Sequence, residues 1–434
     1  MKPPKTILYA VFTCIVFFCG PLSALKPWTI MLYIAADNDL EIFLDRNLKQ
    51  MTKVGSTEHA NIVALVNTSE QNPEVKFSKT VYIEKGNVKI LKQTTTLSMT
   101  DSGDPEVLIN FCLDAIKQFP AEKYALIFWN HGTGAIDPLN YSRVYTADTF
   151  SFSMEENETD GFSFFKNPLL KEAYKGVCFD ETTGNYLDEQ KMIFALNKIC
   201  LEGLSGNKID LIGFDACLMA MIEIAASLQP YAHYMASSQE VELGTGWNYS
   251  RAFSLFAEQN PSPENFGTHI TQAYAKTYGF TNDYTFSCVH LDLLPQLQDA
   301  LKELSLLLVD GCRKEPAIKE LITASRYRHA CTHFDDPDFI DLHHFLTNLL
   351  SNAQVVRLSD SQTTSVFKET LYLMGKRALS GLEQLVIANK TGRHFPHARG
   401  LSIYFPEYSI HRSYKKNKFA HEAKWFFFLS NYLS

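Results

Sequence analysis

The stretch Ile209-Asp210-Leu211-Ile212-Gly213-Phe214-Asp215-Ala216-Cys217 constrains the fold more than any other part of the chain. Four of its first six residues are apolar and Gly213 breaks the run, which suits a strand buried on both faces that ends at Phe214 and delivers a thiol at its carboxyl end. Helix formers follow at once in Leu218-Met219-Ala220-Met221-Ile222-Glu223-Ile224-Ala225-Ala226, which predicts a helix beginning directly after Cys217. In an open α/β sheet the carboxyl edge is where ligands bind, and a helix N-terminus lowers a thiol's pKa. Cys217 is therefore placed as a nucleophile would be. The competing reading is a small buried residue at a helix cap, since free cysteine is among the most buried residue types.

A second run, Tyr124-Ala125-Leu126-Ile127-Phe128-Trp129, ends in Asn130-His131-Gly132-Thr133-Gly134. It brings an imidazole to another strand end, with glycines behind it that let backbone approach a substrate. A thiol and an imidazole at two strand ends make a nucleophile and its base. His-Gly after one strand and Asp-Ala-Cys after the next, in this order, resemble the clostripain family of cysteine peptidases, within the group that includes caspases, gingipains, legumains and separases. The opening Trp28-Thr29-Ile30-Met31-Leu32-Tyr33-Ile34-Ala35-Ala36-Asp37-Asn38-Asp39-Leu40-Glu41 and the late Arg399-Gly400-Leu401-Ser402-Ile403-Tyr404-Phe405-Pro406 are similar to the same family, so the resemblance covers most of residues 28 to 430.

The N-terminus has its own logic. Lys2 and Lys5, an apolar run from Ile7 to Cys19 and the small pair Ser23-Ala24 are the three regions of a secretory signal over 1–24. The apolar core is shorter than the roughly 20 residues of a membrane span, so a cleaved signal is expected, no stable membrane span remains after its removal, and the protein is exported. A lipid-modified Cys19 is the alternative, disfavoured by the bulky Val16-Phe17-Phe18 before it. Of nine cysteines, Cys112, Cys178, Cys200, Cys217, Cys288, Cys312 and Cys331 lie beyond the signal. Their odd number and wide spacing predict mostly buried, reduced thiols with one reactive member. The net charge of -8 argues against nucleic acid as a partner.

Strands are expected at 60–66, 79–83, 232–240 and near 286–291. Helices are expected at 104–117, 187–196, 263–277, 293–309 and from about Phe339 to Leu350. Strands alternating with helices predict an α/β fold, with a mostly parallel sheet covered on both faces. By the resemblance this is a caspase-like catalytic core over 25–254, with a C-terminal α/β extension over 255–434 packed on it. Residues 137–175 are polar and aromatic without periodicity and read as a long surface excursion.

Cys288-x-His290 and His394-x-x-His397 lack companions at zinc spacing, so no metal site is expected. Asp335-Asp336-Pro337-Asp338 is an acidic turn that a hard cation could meet, and the resemblance makes calcium a candidate, although no cofactor is required by the chemistry.

The resemblance implies an endopeptidase in which Cys217 attacks the scissile carbonyl and His131 protonates the leaving amine. The two would act as a dyad without a third carboxylate. Backbone N–H groups near Gly132 and Cys217 are the natural oxyanion donors. Asp215, one pleat from the thiol, is implied as the floor of a pocket for Arg or Lys; a carboxylate bound only to nearby backbone is the alternative. Partners would be protein or peptide substrates carrying those residues. The resemblance further implies self-cleavage between the His and Cys strands, after Lys166, Lys171 or Lys175, giving a monomer or a self-nicked two-chain form. The competing class is a non-catalytic surface or binding protein that keeps the fold.

Overall fold

The computed structural model describes residues 25–69, 76–96, 100–136 and 176–434. The signal segment 1–24 with Cys19, and the cleavage candidates Lys166, Lys171 and Lys175, lie outside the described residues.

In chain order the strands are β1 (Lys26–Ala35), β2 (Ala60–Thr68), β3 (Phe77–Glu84), β4 (Asn87–Thr94), β5 (Ala121–Trp129), β6 (Val177–Asp180), β7 (Asn185–Leu187), β8 (Ile209–Asp215), β9 (Ala232–Ser237), β10 (Thr285–His290), β11 (Phe339–Asp341), β12 (Val386–Thr391) and β13 (Ser402–Tyr404). The helices are α1 (Leu44–Val54), α2 (Pro105–Gln118), α3 (Glu189–Lys198), α4 (Ile222–Leu228), α5 (Tyr249–Ala252), α6 (Pro263–Tyr278), α7 (Leu294–Lys314), α8 (Pro316–Arg326), α9 (Leu342–Ala353), α10 (Ser361–Leu385), α11 (Lys418–Glu422) and α12 (Trp425–Tyr432).

Nine strands form one sheet in the order β12-β10-β9-β8-β5-β1-β2-β3-β4. The five central ones, β9-β8-β5-β1-β2, run parallel, and the outer pairs on each side are antiparallel. Both faces are buried, and alternation decides which core each residue joins. Met31, Tyr33, Leu126, Phe128, Ile212 and Phe214 face α2, α3, α4 and the helices from α7 onward. Trp28, Ile30, Leu32, Ala125, Ile127 and Leu211 face α1, α5 and α6. This two-sided burial is why these strands read as unbroken apolar runs. The sheet is completed by β10 and β12, so it crosses the expected boundary at 254. The chain beyond 255 also supplies α7, α10 and α12 to one face.

Local signals act as the sequence predicts at several ends. Asp104 caps α2 by accepting Glu106 N at 2.9 Å with Pro105 next, and Asp188 caps α3 by accepting Lys191 N at 2.8 Å. Elsewhere tertiary contacts override propensity. Phe339–Asp341, expected as the start of a helix, is a strand paired with β13, and α9 begins only at Leu342. The helix expected from Leu218 begins at Ile222 instead. Ala220 N donates to Ser238 O at 2.8 Å, Ser402 N donates to Ala220 O at 2.9 Å, and Met221 bridges to Ser402. These pairings keep Ala220 and Met221 out of the helix, and Leu218 sits in a turn with φ +62°.

Gly213 has a packing reason that the local sequence does not reveal. A Cβ there would lie 2.7 Å from the ring of Trp247, which is buried against the strand.

Candidate active site

β5 and β8 are paired in parallel register with Trp129 opposite Asp215, and Asn130 N donates to Asp215 O at 3.2 Å. His131 and Cys217 each stand two residues further on, so the register sets imidazole and thiol level with one another. Phe128 stacks on Phe214 across the same two strands at 5.3 Å between ring centroids. Such a pair contributes about 0.5–1.5 kcal/mol, and a one-residue slip of either strand would move its ring to the opposite face and break the pair. Past the strand ends the chains stay close. A Cβ on Gly132 would sit 2.4 Å from the Cys217 carbonyl oxygen, so only glycine fits between them.

The thiol is half-buried and accepts Glu242 N at 3.3 Å. Burial, followed by the negative charges of Glu242, Glu240 and Asp335, pushes its pKa up to about 12. The expectation of activation by a helix N-terminus is thus corrected, because α4 starts five positions too late to reach Cys217.

His131 carries a partner that the dyad reading did not include. Its Nε2 lies 2.6 Å from Asp39 Oδ1, just beyond the end of β1. Burial works to raise the Asp39 carboxyl, but the hydrogen bond and charge of His131 outweigh it and hold the group below its ordinary value. The ends of β1, β5 and β8 therefore supply carboxylate, imidazole and thiol in that order across the sheet. β2 lies on one side of β1 and β5 on the other, which makes this edge the crevice where the strand order reverses.

Asp215 is buried, and both its oxygens are engaged. Oδ1 accepts Trp247 N at 3.0 Å and Oδ2 accepts the Tyr249 hydroxyl at 2.7 Å. A Cβ on Gly246 would lie 2.8 Å from each of these oxygens, so a glycine backs the carboxylate. Glu242 is buried beside Asp215, and neither of its oxygens forms a well-aligned hydrogen bond among the described residues. Burial raises both carboxyls, and in Glu242 the Asp215 charge adds to it. Glu242 is a site residue that sequence reasoning missed. Its signal was present in Glu240-Val241-Glu242, two carboxylates just beyond a strand that runs toward the site.

The acidic turn 335–338 is closed on itself, with Asp336 Oδ1 accepting Asp338 N at 2.9 Å. Among the described residues no three ligating side chains converge. A buried ammonium, Lys76, bridges Asp37 at 2.9 Å and Asp180, which tethers β6 to the end of β1.

A mostly parallel sheet of this order, with imidazole and thiol level at adjacent strand ends, defines the caspase-like class of cysteine peptidase folds. The model of the clostripain family, Peptidase_C11, matches residues 32–157 and 164–431. Clostripain from Hathewaya histolytica is 26% identical over 247 residues, or 52% of this chain. That match spans 41% of the relative's own length. The fold is similar to a secreted C11 cysteine protease from Bacteroides thetaiotaomicron solved with an irreversible peptide inhibitor, at TM-score 0.58 and 18% identity over 92% of this chain and 99% of that one. It is also similar to an inactive zymogen C11 protease from Parabacteroides distasonis, at TM-score 0.60 and 17% identity over 92% and 98% of the two chains. The chain belongs to the clostripain family.

Proposed function

We propose that this protein is an exported cysteine endopeptidase that cuts peptide bonds after Arg or Lys. The observation that carries the reading is the level register of His131 and Cys217, fixed by the Trp129–Asp215 pairing and by the close approach of Gly132 to the Cys217 carbonyl. In the reaction the Cys217 proton passes to the imidazole and Sγ adds to the scissile carbonyl carbon. The carbonyl oxygen takes the electron pair, with backbone N–H groups near Gly132 and Cys217 as its donors. As the C–N bond breaks, the imidazolium returns the proton to the leaving amine and a thioester remains. Water then attacks the thioester, frees the acid and restores the thiol. No cofactor enters this cycle, and a calcium requirement would show as activity lost to a chelator.

Preference for a basic residue is supported by two buried carboxyls, Asp215 and Glu242, beside the thiol. A guanidinium or ammonium entering there supplies the charge that burial alone makes costly. Export rests on the N-terminal signal, and among the described residues no helix is long and apolar enough to cross a membrane. Self-cleavage after Lys166, Lys171 or Lys175 would leave a two-chain form; without it the protein is a monomer.

The test is hydrolysis of a basic peptide substrate by wild type, Cys217→Ala and His131→Ala, together with labelling by a thiol-reactive peptide probe carrying a basic residue. Both variants are expected to lose several orders of magnitude in turnover, and the probe to label Cys217 alone. Well-folded wild type that neither cuts nor labels would instead support a binding protein that keeps the fold.

A further inference from the structure

We propose that Asp39 is the positioning residue for His131, fixing which imidazole nitrogen faces the thiol. The inference rests on the catalytic reading of His131 and Cys217 given above.

The geometry begins with the backbone. Asn38 and Asn130, each one residue before a member of the pair, hook the same two carbonyl oxygens. Asn38 Nδ2 donates to Ala35 O at 2.8 Å and to Phe179 O at 3.1 Å. Asn130 Nδ2 donates to the same oxygens at 2.7 and 3.2 Å. Asn38 Oδ1 accepts Leu40 N at 3.0 Å, which caps the turn carrying Asp39. Asn130 Oδ1 accepts Phe179 N at 2.8 Å. Both asparagines are buried. The chain leaving β1 and the chain leaving β5 are thus pinned to one frame, and Asp39 and His131 are the next residue on each. Their 2.6 Å contact follows from that frame rather than from chance meeting of two mobile side chains.

The consequence is chemical. A carboxylate accepts, so Nε2 carries the proton and Nδ1 is left as the basic nitrogen in the neutral ring. Nδ1 is then the atom available to take the Cys217 proton and return it to the leaving amine. An imidazole held by one edge also loses less freedom when it enters the reacting geometry. The titratable groups around the ring are Asp39 from the β1 turn, Glu181 from the β6–β7 turn and, across Gly132, Cys217 beyond β8. Of these, Asp39 is the one in direct contact.

Asp39→Asn is expected to lower kcat by about 10- to 1,000-fold with KM nearly unchanged. That is less than the roughly 10,000-fold lost when the orienting carboxylate of a serine triad becomes an amide, because a thiol is the more reactive nucleophile. Asp39→Glu recovers part of the rate. A second measurement needs no variant: nitrogen NMR of His131 in the folded wild type should find the neutral ring protonated at Nε2. Wild-type kcat in Asp39→Asn, a lower kcat that Asp39→Glu does not recover at all, or a proton on Nδ1 would each overturn the proposal. His131→Ala is the control that separates the two claims. If it keeps full turnover the catalytic reading fails; if it is dead while Asp39→Asn keeps wild-type turnover, only the positioning role fails.

Discussion

The Tyr249 hydroxyl donates to Asp215 Oδ2 at 2.7 Å while the backbone of Trp247 donates to Oδ1 at 3.0 Å, so one short segment holds a buried carboxylate by both oxygens. Asp215 lies on β8 two residues before Cys217, and Tyr249 and Trp247 arrive from the loop after β9. This buried carboxylate is therefore held between two connections at the carboxyl edge of the sheet.

Charge at this position separates a selective pocket from a structural prop. Asp215→Asn keeps the shape and removes the anion. It should lower kcat/KM for Arg and Lys substrates by about 10- to 100-fold, which corresponds to the 1.5–3 kcal/mol of a charge-assisted hydrogen bond, and leave substrates with a neutral residue there nearly unaffected. Tyr249→Phe removes one donor and should give a smaller loss of the same kind. Equal losses on basic and neutral substrates would make Asp215 a structural residue only.

Glu242 predicts a pH dependence whose sign can be worked out. Burial raises Asp215 and Glu242, so falling pH returns protons to both and removes the attraction for a cationic side chain. Selectivity for basic over neutral substrates should rise with pH in the wild type. Because the Asp215 charge adds to burial at Glu242, Glu242→Gln should lose part of that rise. The same variant removes a negative charge beside Cys217, so alkylation of the thiol should shift to lower pH. Selectivity that is flat with pH, or alkylation shifted to higher pH, would contradict this.

The parts of the fold visible in the sequence are those whose cause is local. β1, β5 and β8 were legible because residues such as Ile30 and Met31 are buried on opposite faces, leaving few polar positions in the run. β4 was not, since it is an edge strand whose Lys89 and Lys92 are exposed. The 25-residue α10 was missed because its apolar stripe is narrow, with Phe367, Leu371, Ala378 and Leu382 separated by a wide polar face. The helix after Cys217 starts late, at Ile222, because pairing with Ser238 and with Ser402, far downstream, overrules local propensity at its first residues. His131, Cys217 and Asp215 could be read from strand ends. Asp39 and Glu242 gain their meaning only from which strand ends become neighbours.

Glu223 offers a stability test away from the catalytic edge. It is fully buried, with Oε1 accepting Tyr404 N at 2.9 Å and the Tyr414 hydroxyl at 2.7 Å, while Oε2 has no hydrogen-bond partner among the described residues. Burial pushes its pKa from 4.5 up to about 7. A carboxyl raised on folding stabilises the native state fully below its unfolded value, and that stability is lost as pH climbs toward the folded value. The loss amounts to about 3 kcal/mol at 1.36 kcal/mol per unit. Glu223→Gln cannot ionise, so the gap in apparent Tm between variant and wild type should move in the variant's favour from pH 5 to pH 8. A constant gap would show that the carboxyl is not buried in the protonated form.

The interval between β5 and β6 contains Arg143, Lys166, Lys171 and Lys175, and a cut there would place Asp39 and His131 in one piece and Asp215 and Cys217 in the other. The described residues on either side give strong reasons for the pieces to stay together. β5 and β8 remain neighbours in the sheet. Asn130 and Asn38 bond the Phe179 backbone, Glu181 N donates to Asp37 O at 2.8 Å, and Lys76 is buried between Asp37 and Asp180. Wild-type protein incubated alone should therefore yield two fragments by mass under denaturing conditions and one species under native conditions. Cys217→Ala should stay whole, and adding active enzyme to it in trans would tell cutting within one chain from cutting between chains. A wild-type chain that stays intact while hydrolysing a basic peptide would remove self-cleavage from the mechanism. Equal cutting of wild type and Cys217→Ala would assign the nick to another protease. Fragments that part without denaturant would mean that the sheet and the Asn130–Phe179 bonds do not hold the two halves of the site in register after the cut.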